Sequence, residues 1–101
     1  MNYIVSRHPG AVDWMRRRMG GQPFEVFEHL EPGFRPAPGE RVCGVLPLTW
    51  VERIHRAGAE CWVLEVELPA ALRGKELSAE QLDALQARLV RYEVQAVDCR
   101  N

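Results

Sequence analysis

Residues 2–14, NYIVSRHPGAVDW, run from a short apolar segment through a polar turn into helical spacing. Tyr3, Ile4 and Val5 read as a buried strand, and Pro9 and Gly10 punctuate the chain after it. Val12, Met15 and Met19 then recur at the period of a helix, which Gly20 and Gly21 stop. A strand that hands over to a helix through a turn is the opening half of a βαβ unit. Ser6, Arg7 and His8 would then emerge together at the carboxyl end of the strand, where open α/β sheets hold ligands.

The rest of the chain repeats that alternation. PFEVFEHL (23–30) reads as a second strand with one exposed face, and EPGFRPAPGE (31–40), with three prolines and two glycines, is a loop. RVCGVLPL (41–48) is a short buried strand interrupted by Gly44 and closed by Pro47. Thr49 and Glu52 have the spacing of a capping box, which predicts a helix from about Trp50 to Ala57 that buries Val51 and Ile54 and ends at Gly58 in the left-handed conformation. ECWVLEVEL (60–68) is the longest strand signal, central at first and exposed later. PAALRGKEL (69–77) connects it to a third helix, capped by Ser78 and Gln81 and running through about Arg91 on a stripe of Leu82, Leu85 and Leu89. YEVQAVD (92–98) is the expected last strand, at an edge. The pattern predicts one α/β domain over residues 1–101, with a mostly parallel sheet of about five strands and three helices in layers.

Composition narrows the function. The 101 residues are 47% hydrophobic and 27% charged, a globular balance. The sequence holds no apolar run of membrane-spanning length and no secretory signal pattern, so the expected setting is soluble and cytoplasmic, away from membrane. Cys43, Cys61 and Cys99 are widely spaced, without a CxxC pair; Cys43 and Cys61 fall in apolar runs and read as small buried hydrophobes. A formal net charge of −1 argues against long nucleic acid as a partner but leaves room for one small anion. Residues 1–20 carry +3 and the remainder −4. Arg16, Arg17 and Arg18 are the ordinary solvated face of a helix.

In a parallel sheet, the loops after the first, third and fourth strands open on one edge. They offer Ser6, Arg7 and His8, the helix start at Pro9, Gly10 and Ala11, then Thr49, and finally Arg73, Gly74 and Lys75. Cations, hydroxyls, an imidazole and free helix N–H groups suit a phosphodiester. The imidazole of His8 can move a proton, although a loop hydrogen bond is its ordinary use. His29 and His55 lack metal-ligand spacing and read as solvated side chains. Arg73-Gly74-Lys75 allows close approach to a phosphate, yet such tripeptides are common in turns. Motifs for a P-loop, a dinucleotide fold, a zinc peptidase and a serine hydrolase are missing from the sequence. The ligand-side loops are poor in Asp and Glu, Glu76 excepted, so neither a metal nor a cofactor is expected.

SRHPGAVDW, GVLPL and LPAALRGKELS, taken together and in order along nearly the whole chain, resemble the small CRISPR-associated accessory proteins of type III systems that degrade cyclic oligoadenylate messengers, one of the ring nuclease families. The resemblance implies a Rossmann-like fold related to cyclic-oligoadenylate sensor domains, a homodimer, and linearisation of cyclic tetra-adenylate without metal. Matched by position, the motifs fall on Ser6, Arg7 and His8, on Gly44, Leu46 and Pro47, and on Arg73, Gly74 and Glu76. Of these, His8, Arg7 and Arg73 are expected to carry catalysis and the others to bind ligand. Two other readings stay open: a non-catalytic protein that sequesters the messenger, and an interaction subunit using Trp14, Trp50 or Trp62 as anchors, although core packing is the ordinary role of each tryptophan.

Overall fold

The computed structural model describes residues 1–97. Strands β1 (Asn2–Val5), β2 (Phe24–Phe27), β3 (Arg41–Gly44), β4 (Glu60–Glu65) and β5 (Arg88–Tyr92) form one sheet in the order β2-β1-β3-β4-β5. The first four are parallel, and β5 runs antiparallel to β4. Helices α1 (Pro9–Arg18), α2 (Leu48–Arg56) and α3 (Ala79–Ala84) connect them, with a short 3₁₀ turn at Ala70–Leu72. The mixed α/β architecture, mostly parallel with five strands and three helices among the described residues, is therefore the one the alternation predicted. No helix among those residues is long and apolar enough to cross a membrane.

The period-2 alternation of the strands divides the core into two. Ile4, Cys43 and Leu64 pack with Trp14 and Met15 of α1 and with Ala79 and Leu82 of α3 on one face. Val5, Val42 and Cys61 pack with Val51 and Ile54 of α2 on the other. Both faces are covered, as a parallel sheet requires. On the α1 side, polar contacts seam the two helices: the Trp14 indole donates to Asp83 at 2.8 Å and Arg17 reaches Glu80 at 2.8 Å. Arg16 and Arg17 also pair with Asp13 at 2.9 and 2.8 Å, which holds the Asp13 carboxyl below its ordinary range, the Arg16 hydrogen bond being the largest cause. The arginine run is thus an ion-paired helix surface, its positive charge placed at the carboxyl end of the helix dipole.

Three local expectations are corrected. Helix α2 begins at Leu48 with Pro47 at its cap, whose carbonyl accepts from the N–H groups of Trp50 and Val51. Thr49 is therefore already inside the first turn and caps nothing, while Glu52 pairs with Arg56 at 3.2 Å. Secondly, α3 stops at Ala84, and Gln86 takes a positive φ of 59° that turns the chain. Leu89, expected on the helix stripe, belongs to β5. The segment RLVRY is equally good strand sequence, and pairing with β4 decides: Glu65 lies opposite Arg88, and their side chains approach to 3.3 Å. Thirdly, the last strand lies upstream of 92–98. Residues 93–97 have no regular structure, and Asp98 and Cys99 lie outside the described residues.

The strands at 23–30, 41–48 and 60–68 are shorter than expected, at Phe24–Phe27, Arg41–Gly44 and Glu60–Glu65, while other local expectations hold. Ser78 and Gln81 form a reciprocal capping box, and Gly58 adopts a φ of +83° after α2. Cys43 and Cys61 are 2% and 1% exposed. Burial pushes the Cys43 thiol up to about 12 and the Cys61 thiol up to about 11, so neither is a nucleophile near neutral pH.

Candidate functional site at the carboxyl edge of the sheet

Strand β1 is followed by a connection to β2 on one side, and β3 lies on its other side. The order of the sheet thus reverses between β1 and β3, and a crevice opens above their ends. Two hollows meet there. One, of about 470 Å³, is lined by Ser6, Arg7 and His8 after β1 and by Leu46 and Pro47 after β3, with Trp50 behind them. The other, of about 310 Å³, lies between His8 and the late loop, with Gly74, Lys75 and Glu76 on its wall. His8, Ala11, Val45 and Leu64 line both.

The polar turn is built by its own backbone. Ser6 donates its backbone N–H to the Phe27 carbonyl at 2.9 Å, fixing the end of β1 to β2, and its hydroxyl accepts from the His8 N–H at 3.1 Å. His8 is the cap residue of α1, but its imidazole caps nothing and turns outward. Nδ1 of that ring lies 2.9 Å from Oε1 of Glu76, sixty-eight residues away in the chain. Both side chains are about two-thirds exposed, so the pair is an orienting contact in contact with water. In the tautomer that carries its proton on Nδ1 and donates it to the carboxylate, Nε2 presents a lone pair.

Backbone contact brings the late loop to this place. A Cβ on Gly10 would fall on the Leu77 carbonyl oxygen, so only glycine lets residues 76–78 lie against the first turn of α1. Gly44 is used in the same way, since a Cβ there would collide with the Val5 carbonyl across the β1–β3 pair. Both glycines were expected to contact ligand. Gly44 is spent on strand packing, and Gly10, while beside Pro9 and Glu76 in a shallow outer hollow, is chiefly a docking surface for the loop.

The site residues divide accordingly. The structure brings together Ser6, Arg7, His8, Ala11, Leu46, Pro47, Gly74, Lys75 and Glu76. Arg73 is exposed at the end of the 3₁₀ turn and lines neither hollow, and Thr49 is exposed on α2 and lines neither. The cation that the late loop places on the wall is Lys75. Sequence reasoning missed the end of β2: Glu28 and His29 line the larger hollow, His29 with its ring 3.3 Å from Glu31. The signal was available, because the carboxyl ends of all parallel strands share one edge, β2 included. Trp50 was weighed only as core or anchor, yet it forms the back of the same hollow. Among the described residues no three His, Cys, Asp or Glu side chains converge as metal ligands.

The fold and this crevice define an α/β protein with an imidazole-bearing crevice at the strand ends, lined by Arg7 and Lys75 together with Glu28 and Glu76. Residues 3–95 match the model of a family described as "Putative CRISPR-associated protein (Cas_VVA1548)", and the chain belongs to that family. No curated protein and no solved structure matches the chain.

Proposed function

We propose that this protein is a ring nuclease of type III CRISPR systems: a Rossmann-like homodimer that binds cyclic tetra-adenylate in the cytoplasm and opens it, without metal, into short linear oligoadenylates with 2′,3′-cyclic phosphate ends. The observation that carries the reading is the meeting of His8 and Glu76 at 2.9 Å in a crevice that also presents Arg7 and Lys75. Family membership supports the CRISPR context, and the motifs SRHPGAVDW and LPAALRGKELS supply the ligand class.

The chemistry asks little of the protein beyond placement. A ribose 2′-oxygen attacks the adjacent phosphorus, the bond from phosphorus to the 5′-oxygen breaks, and the 5′-oxygen leaves as an alcohol. Nε2 of His8, freed by the Glu76 contact, takes the 2′-hydroxyl proton, and water protonates the departing oxygen. Arg7, Lys75 and the N–H group of Ala11 stabilise the charge that builds on the phosphorane oxygens, and Arg73 stands two residues before Lys75 in the chain. Alignment of the 2′-oxygen with the leaving group supplies much of the rate. A two-fold dimer presents this loop set to opposite phosphates of a four-membered ring, so two cuts give two di-adenylates. The dimer also doubles the cations, which reconciles an anionic ligand with a chain of charge −1.

Incubation of the protein with cyclic tetra-adenylate in EDTA, followed by mass analysis, tests the reading. Linear di-adenylate bearing a cyclic phosphate is the expected product. Intact ring bound stoichiometrically would make the protein a sponge, the alternative that uses the same cations without a proton acceptor.

A further inference from the structure

Behind Trp50, on the α2 side of the sheet, the loop between β2 and β3 folds against α2 and leaves a separate cleft of about 270 Å³. Trp50 is the one residue it shares with the strand-end hollows. Its apolar walls are Phe34, Pro36 and Ile54, and three guanidinium groups border it: Arg35 from the loop, and Arg53 and Arg56 from α2. The loop is tied in place. Phe34 packs edge-on to Tyr3 and lies 6.2 Å from the Trp50 ring, and Gly39 donates its N–H to Gly58.

The arginines are arranged differently from one another. Arg53 stacks on the Trp50 ring at 4.1 Å and donates to the Pro32 carbonyl at 2.7 Å, which holds its guanidinium as a fixed plane. Arg56 pairs with Glu52 at 3.2 Å, and Arg35 has no ion pair among the described residues. Three cations thus meet one carboxylate in a chain whose net charge is −1. Placement near the end of a helix accounts for Arg53 and Arg56, because the dipole favours cations there. It does not account for Arg35, which arrives from the loop, nor for a guanidinium plane held over an indole beside an apolar slot.

We infer that this cleft is a second ligand site, independent of the strand-end crevice, and that it takes a nucleoside monophosphate. The base lies between the apolar walls and the plane of Arg53, since flat aromatic heterocycles stack on guanidinium groups as on aromatic rings. Arg35 and Arg56 take the phosphate, whose oxygens match the guanidinium fork. At about 270 Å³ the cleft is just under the usual range of small-ligand pockets, which limits it to a single mononucleotide.

Isothermal titration with adenosine 5′-monophosphate, adenosine and inorganic phosphate as probes tests this site. The nucleotide is expected to bind about tenfold more tightly than either fragment, and Arg35→Ala, an exposed change without packing cost, to weaken it about tenfold with an unchanged Tm. Arg7→Ala, which weakens binding in the crevice, should leave that binding intact, which separates this cleft from the crevice. Binding that survives Arg35→Ala together with Arg56→Ala but is lost in Arg7→Ala would overturn the inference, as would the absence of binding at about 1 mM nucleotide.

Discussion

His8 owes its position to two opposed constraints. Its backbone caps α1 and is held by Ser6, while its ring is released from capping and finds Glu76. A residue built this way does proton transfer better than grip. His8→Ala is therefore expected to lower the turnover of cyclic tetra-adenylate by about a hundredfold or more while changing its Kd little, measured by single-turnover cleavage and equilibrium binding. Arg7→Ala should weaken both. Glu76→Gln keeps a hydrogen-bonding group beside Nδ1 but removes the charge, so kcat should fall with KM nearly unchanged. A kcat unmoved by Glu76→Gln would confine that side chain to holding the loop. The cysteines make the contrasting case, since burial lifts both thiols far above neutrality. In a Cys99→Ala chain, iodoacetamide at pH 7.5 should label neither remaining cysteine until the protein is unfolded, which mass spectrometry would register.

At the scale of elements, the site exists because the segment after β4 lies on the first turn of α1. Gly10→Ala puts a methyl group into the Leu77 carbonyl, and the expected cost is about 2 kcal/mol, a fall in Tm of roughly 10 °C by calorimetry. Ser78→Ala removes half of the capping box of α3 and should cost about 1 kcal/mol. The alternation of strands and helices was legible because each strand is a short apolar run and α1 and α2 carry clear helical spacing. The boundary of α3 was not, since Leu82, Leu85 and Leu89 fit a helix while RLVRY fits a strand, and cross-strand pairing with β4 outweighed the local pattern. Strand order was likewise hidden: nothing local in PFEVFEHL states that β2 pairs with β1 at the sheet edge. The meeting of Arg7, His8, Lys75 and Glu76 followed from parallel strands and short motifs. The packing roles of Gly10 and Gly44 did not, because close approach of backbones is a tertiary fact.

Across the whole molecule, Glu40 knots the N-terminal strand to the long loop. Its carboxylate accepts from the Ala37 N–H at 2.7 Å and from the Tyr3 hydroxyl at 3.2 Å, and it lies 3.5 Å from the N-terminal ammonium. The Ala37 hydrogen bond is the largest cause holding this carboxyl below its ordinary value of 4.5, with Tyr3 and the N-terminus adding to it. A depressed carboxyl stabilises the fold above the unfolded value and loses that contribution as pH falls through the folded one. Glu40→Gln should accordingly narrow its stability deficit against the parent as pH drops below about 4.5, followed by urea unfolding. The central claim concerns distant segments acting as one site, and a double-mutant cycle tests it most directly. The single-turnover rate of cyclic tetra-adenylate opening in EDTA would be compared for the parent, His8→Ala, Glu76→Gln and the double variant. If the two groups form a unit, the double variant is no slower than His8→Ala alone. Losses that multiply independently, or a parent chain that leaves the ring intact, would contradict the account.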